Sequence, residues 1–425
     1  MTQAACDVRS PELWAAAEAG FRLSPNWSMR GGGSAKRFGS AQNACSTDPN
    51  GSRGERRLTR LDMSLVRITQ LGRTLMLIGA ALAVQLSGGV SAADAQTLTL
   101  PEATLAPGSA PGPFDNLRLT LDLSSRATYV EAQDDWTFLQ FIGVDAHNVF
   151  TGPEGDWGTL VLQGYLTRID NADPAPPLFD DGDDWEFVYR IFNFNYTGLS
   201  RGKLNFRVGH QEIPFGLEHL VNTNGTLRQY IQPQNLGVKA DWGAGVNGVF
   251  PDFEYEVAVT TGSGNELELN NGTFTVGGRI GTPRDASTVW GLSAFHGEVA
   301  SAAGPDGFVR RSRLGLDVTH WLGSVGLKGE ISGGRDFDTD VINMIGEVNW
   351  RTPEENVLLW AQVRSFTRLN DTPTDTRDDA VSTSVGVRYS PDAHWTFSTQ
   401  FTQDLSRFGN AESSSDVALQ VRYRF

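Results

Sequence analysis

From residue 116 onward, apolar and polar positions alternate with a period of two. Stretch 379–389 sets Val381, Thr383, Val385, Val387 and Tyr389 against Ser382, Ser384, Gly386 and Arg388. Stretch 394–405 sets Trp395, Phe397, Thr399 and Phe401 against Thr396, Ser398, Gln400 and Thr402. In 308–320, Leu314, Leu316 and Val318 oppose Arg311, Arg313, Gly315 and Asp317. The chain closes the same way, with Val417, Leu419, Val421, Tyr423 and Phe425 opposite Asp416, Ala418, Gln420, Arg422 and Arg424. Successive side chains of a strand point to opposite faces, so each stretch predicts a strand with one apolar and one polar face. Runs of this kind, bounded by Gly, Pro, Asn and Asp, predict sixteen strands: 116–131, 135–149, 157–170, 184–197, 202–212, 240–250, 253–262, 273–281, 287–298, 308–320, 323–334, 341–351, 356–368, 379–389, 394–405 and 415–425.

So many two-faced strands need an aqueous partner for their polar faces and an apolar one for the others. A transmembrane antiparallel β-barrel supplies both, lipid outside and water within. Inward Arg is tolerated in a wet lumen, whereas at the lipid midplane it costs about 2–4 kcal/mol. The links between strands sort by parity. Even-to-odd links such as Pro251-Asp252 and Trp321-Leu322 are short, and odd-to-even links such as 171–183, 213–239 and 263–272 are mostly long. Barrels have short periplasmic turns and longer outer loops, so an even strand count with both ends periplasmic follows. Trp242, Phe253, Tyr389, Trp395 and Tyr423 fall near strand ends, where aromatic girdles form. The fold class expected is all-β: a transmembrane antiparallel barrel of about sixteen strands over 116–425, with residues 213–239 as its third outer loop.

The first part of the 425-residue chain reads differently. Residues 1–62 show no strand alternation and contain a Gly-Gly-Gly run and a basic stretch around Arg56-Arg57. From Met63, Arg67 and Arg73 precede the apolar run Leu75–Val84, and small residues follow at Val90-Ser91-Ala92 and Ala93-Asp94-Ala95. That order is a secretory signal peptide over 63–95, cleaved after Ala92 or Ala95. A signal peptide acts at an amino terminus, so translation is expected to start at Met63, with 1–62 an overlong upstream extension. Residues 96–115, with four prolines, read as an irregular periplasmic lead-in. Both cysteines, Cys6 and Cys45, lie upstream, which leaves the barrel without disulfides, thiolate chemistry or Cys–metal sites. The chain carries a formal charge of −15, and a strongly acidic protein is a poor partner for nucleic acid.

The stretch expected to carry function is 213–239. It begins in Gly209-His210-Gln211-Glu212-Ile213-Pro214-Phe215-Gly216-Leu217-Glu218 and returns through Gln234-Asn235-Leu236-Gly237-Val238. Over roughly 202–250 this resembles the entry to, and exit from, the third loop of the phosphate-selective porin family, where Gly on a strand is followed by Pro-Phe-Gly/Ser-Leu-Glu. The terminal strand ending in Phe425 also resembles the closing strand of bacterial outer-membrane proteins. That resemblance implies recognition of Tyr423 and Phe425 by the barrel-assembly machinery. The family resemblance implies an outer-membrane porin. Ions or small hydrophilic solutes would diffuse passively through it, without cofactor or energy source, and the third loop would narrow the pore. Partners implied are outer-membrane lipid, lipopolysaccharide and two further copies in a homotrimer.

Charges on and beside the loop are the candidate constriction: Glu212, Glu218, Arg228, Lys239 and Asp241. Opposed acidic and basic groups at a narrowing set an ion preference. The candidate pore wall is Lys203, Arg207, Arg311, Arg313, Arg364 and Arg388, with Arg190, Arg279, Arg422 and Arg424 also inward by alternation. The family relies on many lysines; here Lys203, Lys239 and Lys328 are the only three beyond residue 95, so phosphate specificity does not carry over. The plainer role for a wall arginine is to pair with a lumen carboxylate and hold loop to wall, and for Glu218 it is a turn contact. A second reading of the same barrel is a plugged or ligand-handling one. Acidic groups at Asp180, Asp181, Asp183, Asp184, Asp371, Asp375, Asp378 and Asp379 read as solvated outer-loop surface rather than calcium sites. His210 and His219 lack companions at metal-ligand spacing. No G-x-S-x-G elbow occurs, and Gly277-Gly278-Arg279 lies in strand-like sequence, so neither hydrolase nor phosphate-loop chemistry is expected.

Overall fold

The computed structural model describes residues 112, 114–170, 185–200, 202–265, 267, 273–300, 307–369 and 378–425. The segments expected to be an upstream extension and a signal peptide, most of the expected lead-in and the acidic stretches 180–184 and 371–377 lie outside these residues. Sixteen strands form: β1 (Arg118–Val130), β2 (Asp135–Gly152), β3 (Gly155–Asp170), β4 (Glu186–Tyr196), β5 (Asn205–Glu212), β6 (Ala240–Val249), β7 (Glu254–Thr260) and β8 (Thr275–Gly281), then β9 (Thr288–Ala300), β10 (Phe308–Leu322), β11 (Val325–Asp336), β12 (Thr339–Arg351), β13 (Val357–Leu369), β14 (Asp379–Tyr389), β15 (Trp395–Ser406) and β16 (Ser415–Arg424). Each pairs antiparallel with its sequence neighbours, and β1 pairs with β16, from Asp122 opposite Arg424 to Val130 opposite Asp416. Closure leaves no free edge, which removes the row of unpaired backbone groups that an open sheet presents.

The two barrel ends differ as the link lengths predict. The end holding the start of β1 and the finish of β16 is the turn end. Its links include Pro153-Glu154 between β2 and β3 and Gly323-Ser324 between β10 and β11. The loop end carries 171–185, 213–239 and 261–274. Two links at this end are short: residues 131–134 join β1 to β2, and Phe337-Asp338 alone, with Phe337 at φ 51°, joins β11 to β12. Both strands extend beyond the alternating core of their predicted ranges and meet in a tight hairpin, so the link collapses to two residues.

Burial follows alternation strand by strand. On β10, Leu314, Leu316 and Val318 are exposed, while Arg311, Arg313 and Asp317 are buried. On β9, Trp290 and Leu292 face out, and Ser293, Phe295 and Val299 face in. The outside is therefore an apolar belt and the inside a polar lumen, the inverse of a soluble protein. Aromatics cluster at the two rims. At the turn end, Trp157 packs on Phe150, Phe194 and Tyr196, and Trp395 on Phe397 and Tyr423. At the loop end, Trp242 packs on Tyr189 and Phe192, and Tyr129 on Trp136.

Candidate functional site

Loop 213–239 starts with a paired neck. The Ile213 N–H donates to the Lys239 carbonyl (2.9 Å), extending the β5–β6 ladder by one rung. Pro214 then offers no N–H and a fixed φ, and the Phe215 N–H bonds the Ile213 carbonyl (2.8 Å) in a tight reversal. Gly216 follows at φ 61°, a conformation that only glycine adopts without strain. The reversal aims two successive N–H groups at the wall. Gly216 donates to Ser293 Oγ on β9 (3.0 Å), and Leu217 to Glu330 Oε2 on β11 (2.7 Å).

Three apolar contacts carry the loop across the interior. Ile213, Phe215, Leu236 and Val238 pack on Phe295 and Val299 of β9. Leu217, Tyr230 and Ile231 pack on Ile345 of β12. Leu227 packs on Leu358 and Trp360 of β13. All five wall partners occupy inward positions of their strands. Burying side chains of this size against one another contributes about 1.5–3 kcal/mol each, which fixes the loop's path.

Polar contacts close the remainder. The short helix α1 (Gln232–Leu236), capped by Gly237 at φ 78°, presents Asn235 to the wall. Asn235 Nδ2 donates to Ser332 Oγ (2.8 Å), and its Oδ1 accepts from Arg313 Nε (2.9 Å) and Asn343 Nδ2 (2.7 Å). Arg311 Nη1 donates to the Gln234 and Asn235 carbonyls (2.8 and 3.1 Å). Gln362 of β13 and the Gln229 backbone exchange two bonds of 3.1 Å. On the far side, Arg126 of β1 donates to the Thr226 carbonyl (3.2 Å), and Arg422 of β16 to the Asn224 carbonyl (2.8 Å). Backbone removed from bulk water needs such partners, and here the wall supplies them.

Glu347 of β12 is the densest node. Its side chain is fully buried. Its oxygens accept from Arg228 Nη1 (3.0 Å), Asn349 Nδ2 (2.9 Å), Gln362 Nε2 (2.8 Å) and the Tyr230 hydroxyl (3.4 Å), and Lys328 Nζ lies 3.3 Å away. Burial pushes the Tyr230 hydroxyl above its usual range, so it stays a neutral donor.

The five loop charges do not form a single ring. Glu218 and Lys239 pair at 2.8 Å, and Glu218 Oε2 also accepts the Gln232 N–H (3.1 Å). Arg228 reaches Glu347, and Glu212 faces Arg190 at 3.6 Å. Asp241, wholly buried, instead accepts the N–H groups of Gly262 (2.5 Å) and Gly264 (2.7 Å) and the Thr261 hydroxyl (3.0 Å). Among the wall candidates, Arg207 pairs with Glu256 (2.5 Å), and Arg313 with Asp336 (2.5 Å). Arg364 is buried on β13, Lys203 is exposed in the β4–β5 turn, and Arg388 is half-buried on β14. Sequence reading missed Glu347, Glu330, Asp122 and Gln362. Alternation marks Glu347, Glu330, Asp122 and Gln362 as inward; it does not show that they meet the loop or, for Asp122, the closing strand β16. Among the described residues no cluster of His, Cys, Asp and Glu could hold a metal ion.

Beside the loop, toward the loop end, lies a solvent-open cavity of about 270 Å³. Arg126, Arg190, Glu212, Glu218, Arg228 and Lys239 line it together with Tyr165 and Tyr189. Toward the turn end the charge divides across the lumen. On the β7–β11 side, Glu254, Glu256 and Asp317 are matched by Arg207, Arg279 and Arg284. On the other side, Lys328 of β11, Arg351 of β12, Arg388 of β14 and Arg422 of β16, with Arg228 from the loop, outnumber Glu347 of β12 and Asp122 of β1.

A closed sixteen-stranded antiparallel barrel with a polar lumen is the architecture of the porin barrels. The chain is similar in structure to an anion-selective porin from Comamonas acidovorans (12% identity, TM-score 0.52, covering 73% of this chain and 99% of that one). It is similar also to OprB of Pseudomonas putida (8%, 0.52, 73% and 94%) and to Salmonella typhi OmpF (10%, 0.52, 73% and 97%). At these identities the likeness is one of fold. No family model and no curated protein matches the sequence.

Proposed function

We propose that this protein is a porin of a bacterial outer membrane, a water-filled channel through which ions and small hydrophilic solutes diffuse passively, with a preference for anions. The observation that carries the proposal is the division of the barrel into an apolar outside and a charged inside, crossed by loop 213–239. Such a wall is stable only with lipid on one face and water on the other. Transport down a gradient needs no cofactor. The signal peptide at 63–95 delivers the chain across the inner membrane, and Tyr423 and Phe425 at the barrel's end mark it for the assembly machinery. Lipid and lipopolysaccharide cover the outer belt, and three copies associate.

Selectivity follows from the lumen rather than the total charge. Fields focus in a narrow, low-dielectric passage, so the local balance around the loop governs entry. Lys328, Arg351, Arg388 and Arg422 outnumber Glu347 and Asp122 on the wall that Arg228 overhangs. Glu218 and Lys239 neutralise each other, whereas Arg228 and Lys328 share the one carboxylate of Glu347, which leaves a net positive charge at that node beside the loop.

The test is conductance in a planar bilayer with the protein purified from membranes, followed by the zero-current potential under a potassium chloride gradient. Discrete conductance steps with a potential of the sign expected for chloride are the expected result. A folded barrel that never conducts would overturn the porin reading, and a cation-selective one would overturn the preference alone.

A further inference from the structure

The turn-end half of the lumen holds an arginine with no partner. Arg388, half-buried on β14, makes no hydrogen bond or ion pair through its guanidinium among the described residues. Register fixes its neighbours. Arg388 stands opposite Leu358 of β13, and Leu358 stands opposite Arg351 of β12, so the two arginines flank one inward leucine on a single row. Two strand spacings put their Cα atoms roughly 10 Å apart, within reach of one small molecule for side chains of this length. On the other side, Arg388 is opposite Ser398 of β15, and Arg422 of β16 is opposite Thr396, two residues along.

Arg351 is also short of acceptors. Its Nε has none, and its guanidinium lies over the Trp321 ring at 5.2 Å. Arg388 lies within Coulombic range of Arg351, Arg422 and the loop's Arg228. Arg422 and Arg228 are committed to Asp122 and Glu347, so the uncompensated charge belongs to Arg351 and Arg388. Two guanidinium groups on inward positions of one row, either side of Leu358 and within Coulombic range, repel each other. The arrangement is favourable when an anion lies between them, because a guanidinium offers paired N–H donors that match carboxylate and phosphate oxygens. Water oxygens also accept from guanidinium N–H groups, but they carry no charge to offset the two cations.

We infer that Arg351 and Arg388 form a binding subsite for a doubly charged oxyanion near the turn-end mouth of the pore, the last station of a permeating solute after the loop. It rests on the porin reading and adds a ligand class to it. The shared chemistry is a pair of anionic oxygens accepting from two guanidinium forks. A compact phosphate or an elongated dicarboxylate supplies it.

Chloride conductance of the full chain in a planar bilayer, titrated with inorganic phosphate or with succinate, reads the site directly. Occupancy by a slowly leaving dianion reduces chloride current. A lower half-blocking concentration for one of the two identifies the source, and acetate at equal ionic strength blocks less than either. Arg388→Gln raises the half-blocking concentration about tenfold, the loss of one charge-assisted pair of hydrogen bonds. Arg388→Lys keeps the charge and restores only part of the block. Arg335→Gln, outside the barrel and paired with Asp340, leaves block unchanged. Because Arg388 has no partner to lose, the Gln variant folds with undiminished thermal stability. Absence of dianion block in the conducting protein, or block that Arg388→Gln does not weaken, would overturn the subsite while leaving the porin reading intact. If no conductance appears at all, the porin reading falls, and calorimetric titration of the same purified protein with phosphate and succinate decides the subsite, absence of heat counting against it.

Discussion

At the scale of single residues, two positions fix the loop to the wall, and each yields a prediction. Glu347 accepts from Arg228, Asn349, Gln362 and Tyr230 with its side chain fully buried. Glu347→Ala leaves Arg228 and Lys328 without their carboxylate inside the barrel. Removing one member of a buried ionic network costs on the order of 3–5 kcal/mol, and the loop is where the loss is felt. Limited proteolysis of the folded variant is expected to cut after Arg228, a bond protected in the parent. Gly216 is the second position. At φ 61° it turns the chain toward Glu330, and an added Cβ would clash with the Glu330 carboxylate. Gly216→Ala combines a backbone penalty of about 1 kcal/mol with loss of the Leu217 bond to that same oxygen. The expected outcome is a lower unfolding temperature of the detergent-solubilised barrel, together with noisier single-channel current. Gly216→Ser with unchanged temperature and noise would contradict the role given to this turn.

At the scale of elements, the strands were legible in the sequence and the meetings between them were not. Alternation on 308–320 separates Leu314 and Leu316 from Arg311 and Arg313, and the barrel places them out and in accordingly. The local period of two suffices because each residue has only two faces to choose between. Arg228 and Glu347, by contrast, meet from positions 119 residues apart, a contact set by closure and register rather than by local pattern. Asp241 shows the limit from the other side. Proximity in sequence groups it with the loop charges, but it serves the backbone of 261–264. The β14–β15 turn gives a local prediction of its own. Asp392 accepts the N–H groups of His394 and Trp395, each at 2.8 Å, and these bonds hold its carboxyl below the usual range. A depressed folded-state value means that the carboxylate steadies the turn above the ordinary Asp range and ceases to do so as pH falls through the lowered one. Amide exchange at His394 and Trp395, corrected for intrinsic rates, is therefore expected to quicken only in strong acid. In Asp392→Asn it is expected to be insensitive to pH.

At the scale of the whole molecule, loop and lumen charge act together, and salt separates their contributions. The loop is bonded to β1, β9–β13 and β16, so it occupies much of the cross-section, and the passage left beside it is lined by charge of both signs. Deleting 219–232 removes Arg228 and the apolar anchors Leu227, Tyr230 and Ile231 while leaving the neck residues Ile213 and Lys239 to close the chain. Single-channel conductance is expected to rise several-fold, with anion preference reduced because the overhanging charge is gone. In the intact protein, the cations of β12–β16 act through water. The Debye length is about 10 Å at 0.1 M salt and about 3 Å at 1 M, so their reach shrinks from the width of the passage to a single contact. Anion preference is then expected to be pronounced under a gradient centred near 0.1 M and weak near 1 M. A preference that persists at 1 M salt would mean that anions touch the guanidinium groups directly as they pass. Its persistence in the loop-deleted protein would place those contacts on the wall rather than on Arg228.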